Sequence, residues 1–270
     1  LPISLHPLQH ADIPTCARIA ADAFADDKHT VFKQMGTEPF DMETVTREGL
    51  EANLGKRSCV YIKAVSEESG ETVGFAGWAF RGVAEAAIPR QKDTSTDSSN
   101  GEGKEQEIRK RLENTYAPDY GASGTGPAHL AALEDLSMHH FMRAHMPPGT
   151  SCMYILQLIV APAHQSHGVG RALVRRGNAM ADRLGVFMWV HASERAAGLL
   201  GMCGFEEVAR MDLDLDGFAS GPPGEVVRER LGMGVGEGWG RYVVRYMKRL
   251  LKGNAGEEVK DLPRGGGQED

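Results

Sequence analysis

No run in this sequence is long and apolar enough to cross a bilayer as a helix, and the amino terminus has no basic-then-apolar secretion signal. The chain opens at Leu1 rather than Met, which leaves an upstream targeting segment open. Cysteine is sparse: Cys16, Cys59, Cys152 and Cys203 stand apart, with no close pair for a zinc knuckle or a redox couple. Isolated buried thiols in a reducing compartment fit that usage, with the cytoplasm first and the nucleus as the alternative. A long basic run is also missing. Lys plus Arg number 30 against 37 Asp plus Glu, and the net charge of -7 argues against nonspecific nucleic-acid binding while leaving room for a local basic pocket.

Two segments have too little apolar content to add to a core: a Ser-, Gly- and charge-rich insert at about 90–127, expected to be disordered, and a flexible tail at 253–270. The remainder, 1–252, reads as a single domain. Ile3 to Leu8 is a short strand. Asp12-Ile13-Pro14 opens a helix running to about Ala25, with Asp12 as its cap. A second helix falls between Pro39 and Leu54, with Met42, Val45 and Leu50 turned inward. Cys59–Val65 and Thr72–Phe80 form a hairpin around Glu67-Glu68-Ser69-Gly70. His129 to Met146 is helical, with Leu130, Leu133, Leu136 and Phe141 as its apolar stripe. Strand 153–160, a helix to Leu184, strand 186–191 and a short helix 194–202 stopped by Gly204 follow, then strands at 206–215 and 241–250. This order predicts a mixed α/β fold: a central curved mixed β-sheet flanked by helices on both faces, with strands 153–160 and 186–191 as parallel neighbours.

The segment LQLIVAPAHQSHGVGR, from Leu156 to Arg171, joins a buried strand to a helix through a glycine-bearing turn. Gly168 and Gly170 let the backbone approach a ligand, and the first free N–H groups of the helix point to the same place, a geometry that binds phosphate or pyrophosphate. A dinucleotide fingerprint needs a third glycine and an acidic residue on the next strand, and Val186 to Val190 supplies none. A nucleoside-triphosphate loop needs a GK[ST] ending, and Gly170 is followed by Arg171.

The pattern Gln165-Ser166-His167-Gly168-Val169-Gly170 after strand 158–160 and Pro162, followed by Met188 to Ser193 and then Leu199-Leu200-Gly201-Met202-Cys203-Gly204-Phe205, resembles the GNAT superfamily of N-acetyltransferases. The low-complexity insert is similar to those of fungal members that act on small molecules. The resemblance implies a GNAT-like fold and acetyl-CoA as co-substrate, with no metal. Leu158, Ile159 and Val160 then lie beside the pantetheine arm, and Gln165, Ser166, His167, Gly168, Val169, Gly170 and Arg171 wrap the pyrophosphate. Ser193, at the end of the next strand, joins the cofactor set. The implied reaction is direct attack of a primary amine, expected on a small molecule, on the thioester within a ternary complex. Protein amino termini and lysines stay open as acceptors, as does an acyl-CoA sensor with weakened catalysis. A monomer and a homodimer fit equally, and neither nucleic acid nor a membrane is expected as a partner.

One departure concerns the leaving-group acid. The superfamily's L-Y-x-x-x-G-F pattern places a tyrosine four residues before the glycine, where this chain has Leu200. Tyr154 and His191 are the catalytic candidates: a phenol that turns into the cleft or packs in its strand, and an imidazole whose intrinsic pKa suits proton exchange. Asp26, Asp27, Lys28 and His29 form a substrate-side loop or a solvated helix end. Glu134, Asp135, His139 and His140 either cover the cleft or make a solvated face, and their spacing is a poor metal motif. Trp78 and Phe80 read as core, with an acceptor pocket as the alternative.

Overall fold

The computed structural model describes residues 1–36, 39–89 and 126–251. Seven strands form one sheet in the order β1-β2-β3-β4-β5-β7-β6. They are β1 Ile3–Pro7, β2 Cys59–Ser66, β3 Thr72–Arg81, β4 Cys152–Val160, β5 Phe187–Ala192, β6 Glu206–Asp214 and β7 Arg241–Arg249. Only β4 and β5 run parallel; every other neighbouring pair is antiparallel. The mixed α/β architecture with helices on both faces is the one expected from the sequence. The insert between 90 and 125 and the tail from 252 lie outside the described residues.

Helices α1 (Ile13–Ala23) and α3 (Met42–Asn53) cover one face of the sheet, burying Ile13, Cys16, Ile19 and Leu50 against Tyr61, Phe75, Ala79 and Ile159. Helix α4 (Pro127–His145) lies on the same face further along, packing Phe141 on Trp189 and Tyr246. Helices α5 (Val169–Leu184) and α6 (Glu194–Met202) cover the opposite face, where Val169, Leu173, Val174 and Met180 meet Trp78, Met153 and Met188. Helix α5 keeps a wide apolar stripe and ends at Gly185, whose left-handed conformation (φ 66°) suits a residue without a Cβ.

Several local expectations change. Asp12 does not cap α1. Its carboxylate accepts from the Gln9 amide at 2.9 Å and from Lys63 at 2.6 Å, closing a 3-10 turn that precedes the helix. Val45 faces outward, 47% exposed, while Thr46 and Leu50 face in. Lys28 and His29, expected in a substrate-side loop or a solvated helix end, instead open helix α2 (Lys28–Lys33), because the Asp27 carboxylate takes the Thr30 amide at 2.9 Å and caps it. A second unanticipated helix, α7 (Glu225–Leu231), lies in the long excursion between β6 and β7.

Trp78 is fully buried on the α5 face, which settles it as core. Its indole occupies the place where a Cβ on Gly177 of α5 would sit. Alanine normally stabilises a helix interior over glycine by about 1 kcal/mol, but overpacking a core costs about 1–3 kcal/mol. Gly177→Ala should therefore lower the urea midpoint. Gly49→Ala in α3, where nothing lies within 4 Å of the new methyl, should raise it.

Candidate functional site

β4 pairs with β3 along its length but meets β5 only through Cys152–Phe187, Met153–Met188 and Tyr154–Trp189. Beyond that point β5 follows β7, with His191 opposite Tyr246 and Ala192 opposite Arg245. From Ile155 to Val160, β4 therefore has a ladder partner on one side only, an open edge of roughly 20 Å at about 3.3 Å per residue. Leu156, Gln157, Leu158 and Val160 are only half-buried although their strand is the middle one of the sheet. Backbone N–H and C=O groups seldom stay unpaired, so this edge can take a chain-like polar partner.

A bulge interrupts the edge. Gln157 stands opposite Gly77 and Ile155 opposite Trp78, leaving Leu156 without a partner in β3. Leu156 consequently packs with the α1–α3 cluster, and Leu158 with the α5 cluster. Bulges re-aim the groups beside them and are frequent next to functional sites.

After β4 the chain makes a 3-10 turn at Pro162–His164 and enters the glycine turn. Ser166 (φ 62°) is the one non-glycine with positive φ among the described residues, and Gly168 follows at φ 87°, ψ -5°. The first return bond of α5 runs from the Ala172 amide to the Gly168 carbonyl at 3.0 Å. Among the described residues, the amides of Ser166 through Arg171 reach no backbone carbonyl, and nothing lies within 4 Å of a Cβ built on Gly168. Consecutive free amides at the start of a long helix make a cradle for an anion, favoured by the helix dipole. Val169 and Gly170 are buried, so their contribution is backbone alone.

The side chains of this turn mostly hold it in shape. The Gln165 amide nitrogen donates to the Val160 carbonyl at 3.1 Å, tying the turn to the end of β4. His167 folds its Nδ1 to within 2.6 Å of the Gln165 carbonyl. The Arg171 side chain is exposed and lies 3.7 Å from the Met202 sulfur. Ser193, at the end of β5 and across the divergence from β4, precedes α6 and accepts the Ala196 and Ala197 amides through its carbonyl at 3.1 and 3.2 Å. Its hydroxyl makes no capping bond.

On the α4 face, where the strands part, aromatic rings are linked one to the next. Tyr154 stacks on Trp189 with centroids 5.3 Å apart, Trp189 meets Phe141, Phe141 stacks on Tyr246 at 4.4 Å, and Tyr246 stacks on His191 at 5.2 Å. Tyr154 and His191, far apart in sequence, thus share one aromatic wall. Burial raises the Tyr154 phenol above its ordinary pKa, so it is a donor at neutral pH. Tyr246 is also shifted up by burial, and its hydroxyl lies 2.9 Å from Ser137 Oγ of α4. The sequence reading passed over Tyr246 and Ser137; the alternation that puts Tyr242 and Tyr246 on one face of β7 was the available signal.

The His191 ring is open to the cleft yet ringed by protein, and this desolvation lowers its pKa to about 4; the open face limits the extent. Of the charges acting on it, Glu134 raises the value, while His29 and Lys33 lower it further. These three form a cluster of their own. Glu134 is buried rather than on a solvated face, with Oε1 at 2.5 Å from His29 Nε2 and Oε2 at 3.0 Å from Lys33 Nζ. Desolvation opposes its ionisation, but the His29 and Lys33 contacts prevail and hold its pKa below the usual value. Asp27 is also spent internally: it takes Thr30 on one oxygen and the Tyr242 hydroxyl on the other at 3.0 Å, so it is not the free carboxylate a substrate loop needs. Leu200 is fully buried in the α5 core, and burial pushes the thiols of Cys152 and Cys203 up, which makes them poor nucleophiles. No group of three or more metal-ligating side chains occurs among the described residues.

An imidazole with a depressed pKa binds its proton more weakly in the folded state than in the unfolded one. Between about pH 6.5 and about pH 4 the unfolded chain holds more protons at His191, so stability falls as the pH drops through that window. His191→Gln removes this contribution. Its urea midpoint should fall less than that of the wild type between pH 7 and pH 4.5.

Residues 106–205 match the sequence profile of the Acetyltransferase (GNAT) family. No curated protein matches the chain by sequence. Among solved structures, arylalkylamine N-acetyltransferase 2 from Aedes aegypti superposes with a TM-score of 0.56 at 14% identity, covering 93% of this chain and 100% of the other. The Drosophila melanogaster polyamine N acetyltransferase gives 0.54 at 15% identity, with 93% and 100% covered. At such identities the likeness is one of fold. The profile match runs through the glycine turn and stops at Phe205, and the fold carries it on a sheet whose central strands part where that turn begins. By these features the chain is similar to the GNAT superfamily in the profile-matched segment and in fold.

Proposed function

We propose that this protein transfers an acetyl group from acetyl-CoA to a primary amine of a small molecule, by direct attack in a ternary complex. The observation that carries this reading is the continuity of the open β4 edge with the free amides of Ser166 to Arg171. An extended arm bearing amide groups fits the first, and a pyrophosphate fits the second. Acetyl-CoA supplies both, together with a thioester carbonyl at the far end of the arm. The residues present fit that ligand. Leu158, Ile159 and Val160 offer backbone groups to the arm, and Ser193 faces it from across the divergence. Gly168 gives the space and the left-handed backbone that the phosphates require, while Gln165 and His167 hold the turn and Arg171 adds charge at its rim.

Transfer places negative charge on the thioester oxygen. A backbone N–H near Leu158, re-aimed by the bulge at Leu156, stabilises that charge without reorganisation. His191, neutral at pH 7, accepts a hydrogen bond from the incoming nitrogen, and the Tyr154 phenol donates into the same space. The acceptor end favours a compact amine over an extended peptide. Val31 and Phe32 of α2, Leu130 of α4, and Trp239 and Tyr242 at β7 share one apolar cluster, and in this reading that cluster closes the acceptor end.

One observation favours a sensor instead: Leu200 stands where the superfamily has a tyrosine, and leucine donates no proton. Thiolate is a good leaving group, so we retain the enzyme reading. Calorimetry with acetyl-CoA, CoA, NAD and ATP, followed by thiol release over an amine panel led by arylalkylamines and polyamines, separates the two. Selective CoA binding with amine-dependent thiol release is the expected result. Binding without release under every amine supports the sensor, and no CoA binding by folded protein overturns both. Gly168→Val forces a branched residue into positive φ and should weaken acetyl-CoA binding at least tenfold, with an unchanged circular dichroism spectrum.

A further inference from the structure

The acetyltransfer reading leaves one step without a group to perform it. A primary amine reaches the cleft chiefly as ammonium, since such amines have pKa values of about 10. It must lose a proton before it can attack. His191 is poorly suited to take that proton, because its surroundings disfavour the cationic ring. β4 offers no carboxylate either.

Two elements away, the structure holds a histidine–carboxylate pair that no other step uses. His29 of α2 sits with its ring stacked on Tyr242, centroids 4.8 Å apart and planes 20° from parallel. Its Nε2 meets Glu134 Oε1 of α4 at 2.5 Å, with both atoms shut off from water. Lys33 holds the other carboxylate oxygen at 3.0 Å, and Tyr242 is in turn fixed by its hydroxyl on Asp27. Contacts on both ring face and ring edge fix this imidazole in place. With Nε2 turned to the carboxylate, Nδ1 is the ring nitrogen that faces away from it. The pair lies toward the same wall as His191: His29 stacks on Tyr242, and Tyr246, four residues along β7 on the same face, stacks on His191.

Resting on the acetyltransfer reading, we infer that His29 is the base that takes the proton from the acceptor ammonium, directly or through one water, and that Glu134 is its positioning residue. The N–H bond of the ammonium breaks and a new one forms at His29 Nδ1. The freed lone pair forms the C–N bond as the C–S bond breaks, and that electron pair leaves with the thiolate. Of the two protons the nitrogen sheds, the first passes from His29 to solvent. The second reaches the thiolate and gives the thiol.

The test is the pH dependence of kcat/KM for the full chain with acetyl-CoA and its best amine, in wild type, His29→Asn and Glu134→Gln. Acetyl-CoA affinity by calorimetry and the thermal midpoint serve as folding controls. A lost base should cost about 10²-fold or more at pH 7. In His29→Asn the loss should shrink as the pH approaches the pKa of the amine, where solvent removes the proton instead. Glu134→Gln, which keeps the imidazole, should lower kcat/KM at pH 7 by less than His29→Asn does and leave the shape of the acid limb closer to that of the wild type. The groups around His29 are Lys33 on its own helix, Asp27 before it, Glu134 and Asp135 on α4, Tyr242 on β7 and His191 on β5. Lys33→Met therefore reports how far a change of charge alone moves the limb. A rate unchanged in His29→Asn, or lowered equally at every pH, overturns the assignment. Wild-type protein that binds CoA but turns over no amine overturns the acetyltransfer reading, and the base with it.

Discussion

β4 keeps β3 on one edge from Ile155 onward and loses β5 on the other, and most of the molecule is arranged around that unfilled edge. A central strand with a free ladder in the interior is costly unless something pairs with it. Two features sustain it. The bulge at Leu156 sends neighbouring side chains to the cores on both faces, so the strand is anchored by packing where it lacks a partner. β7, inserted between β5 and β6, gives β5 a full antiparallel partner through Ala192, so β5 can turn away from β4 without fraying.

The glycine turn is useful only if α5 holds its amides fixed relative to that edge. Three contacts do so. Gly177 admits the Trp78 indole against the helix, Gly170 leaves room for Leu199 of α6, and Asp182 near the carboxyl end of the helix binds the buried Arg249 of β7 at 2.8 Å. Breaking such a pair leaves an uncompensated buried charge, so this contact fixes position more than it adds stability. At the other end, Gln165 reaches back to Val160 and closes the corner. Strand, turn and helix therefore behave as one rigid bracket. That is the requirement for free donors to bind a charged group without reorganising.

What could be read from the sequence follows from where the signals are local. β4, α5 and α6 declare themselves through apolar periodicity, Pro162, and glycines at the positions where the backbone turns, so the strand, turn and helix that bracket the free amides were legible in the sequence. Helix α2 was not: its span of Lys28–Lys33 is too short to show a period, and only the Asp27 cap marks it. Val45 failed because α3 is rotated so that Thr46 and Leu50 face the core, a matter of packing angle rather than of composition. Glu134 was open for another reason. The sequence offers it, with Asp135, His139 and His140, as a cover to the cleft or a solvated face, and its burial depends on Lys33 and His29, which come from a different helix. The proposed cofactor side is written in contiguous sequence. The proposed acceptor side is assembled from α2, α4, β5 and β7, which meet only in three dimensions.

That asymmetry bears on the missing tyrosine. Leu200 sits in a cluster formed by α5, α6 and the lower face of the sheet, fully buried among apolar neighbours. A phenol at that position would have to reach out of this core toward the thiolate, and leucine instead completes the packing. In the proposed reaction, proton chemistry falls to the opposite face, which carries Tyr154, His191, Tyr246 and Ser137 and, further along β7, the His29–Glu134 pair. Return of a proton to the thiolate is the less demanding step, because a thiol's pKa of about 8.5 lies near neutrality. Removing one from an ammonium near pKa 10 is the harder step. Under the proposed reaction, a chain without the acid on one face and with an ordered histidine–carboxylate pair on the other has its polar groups where the larger proton-transfer barrier lies.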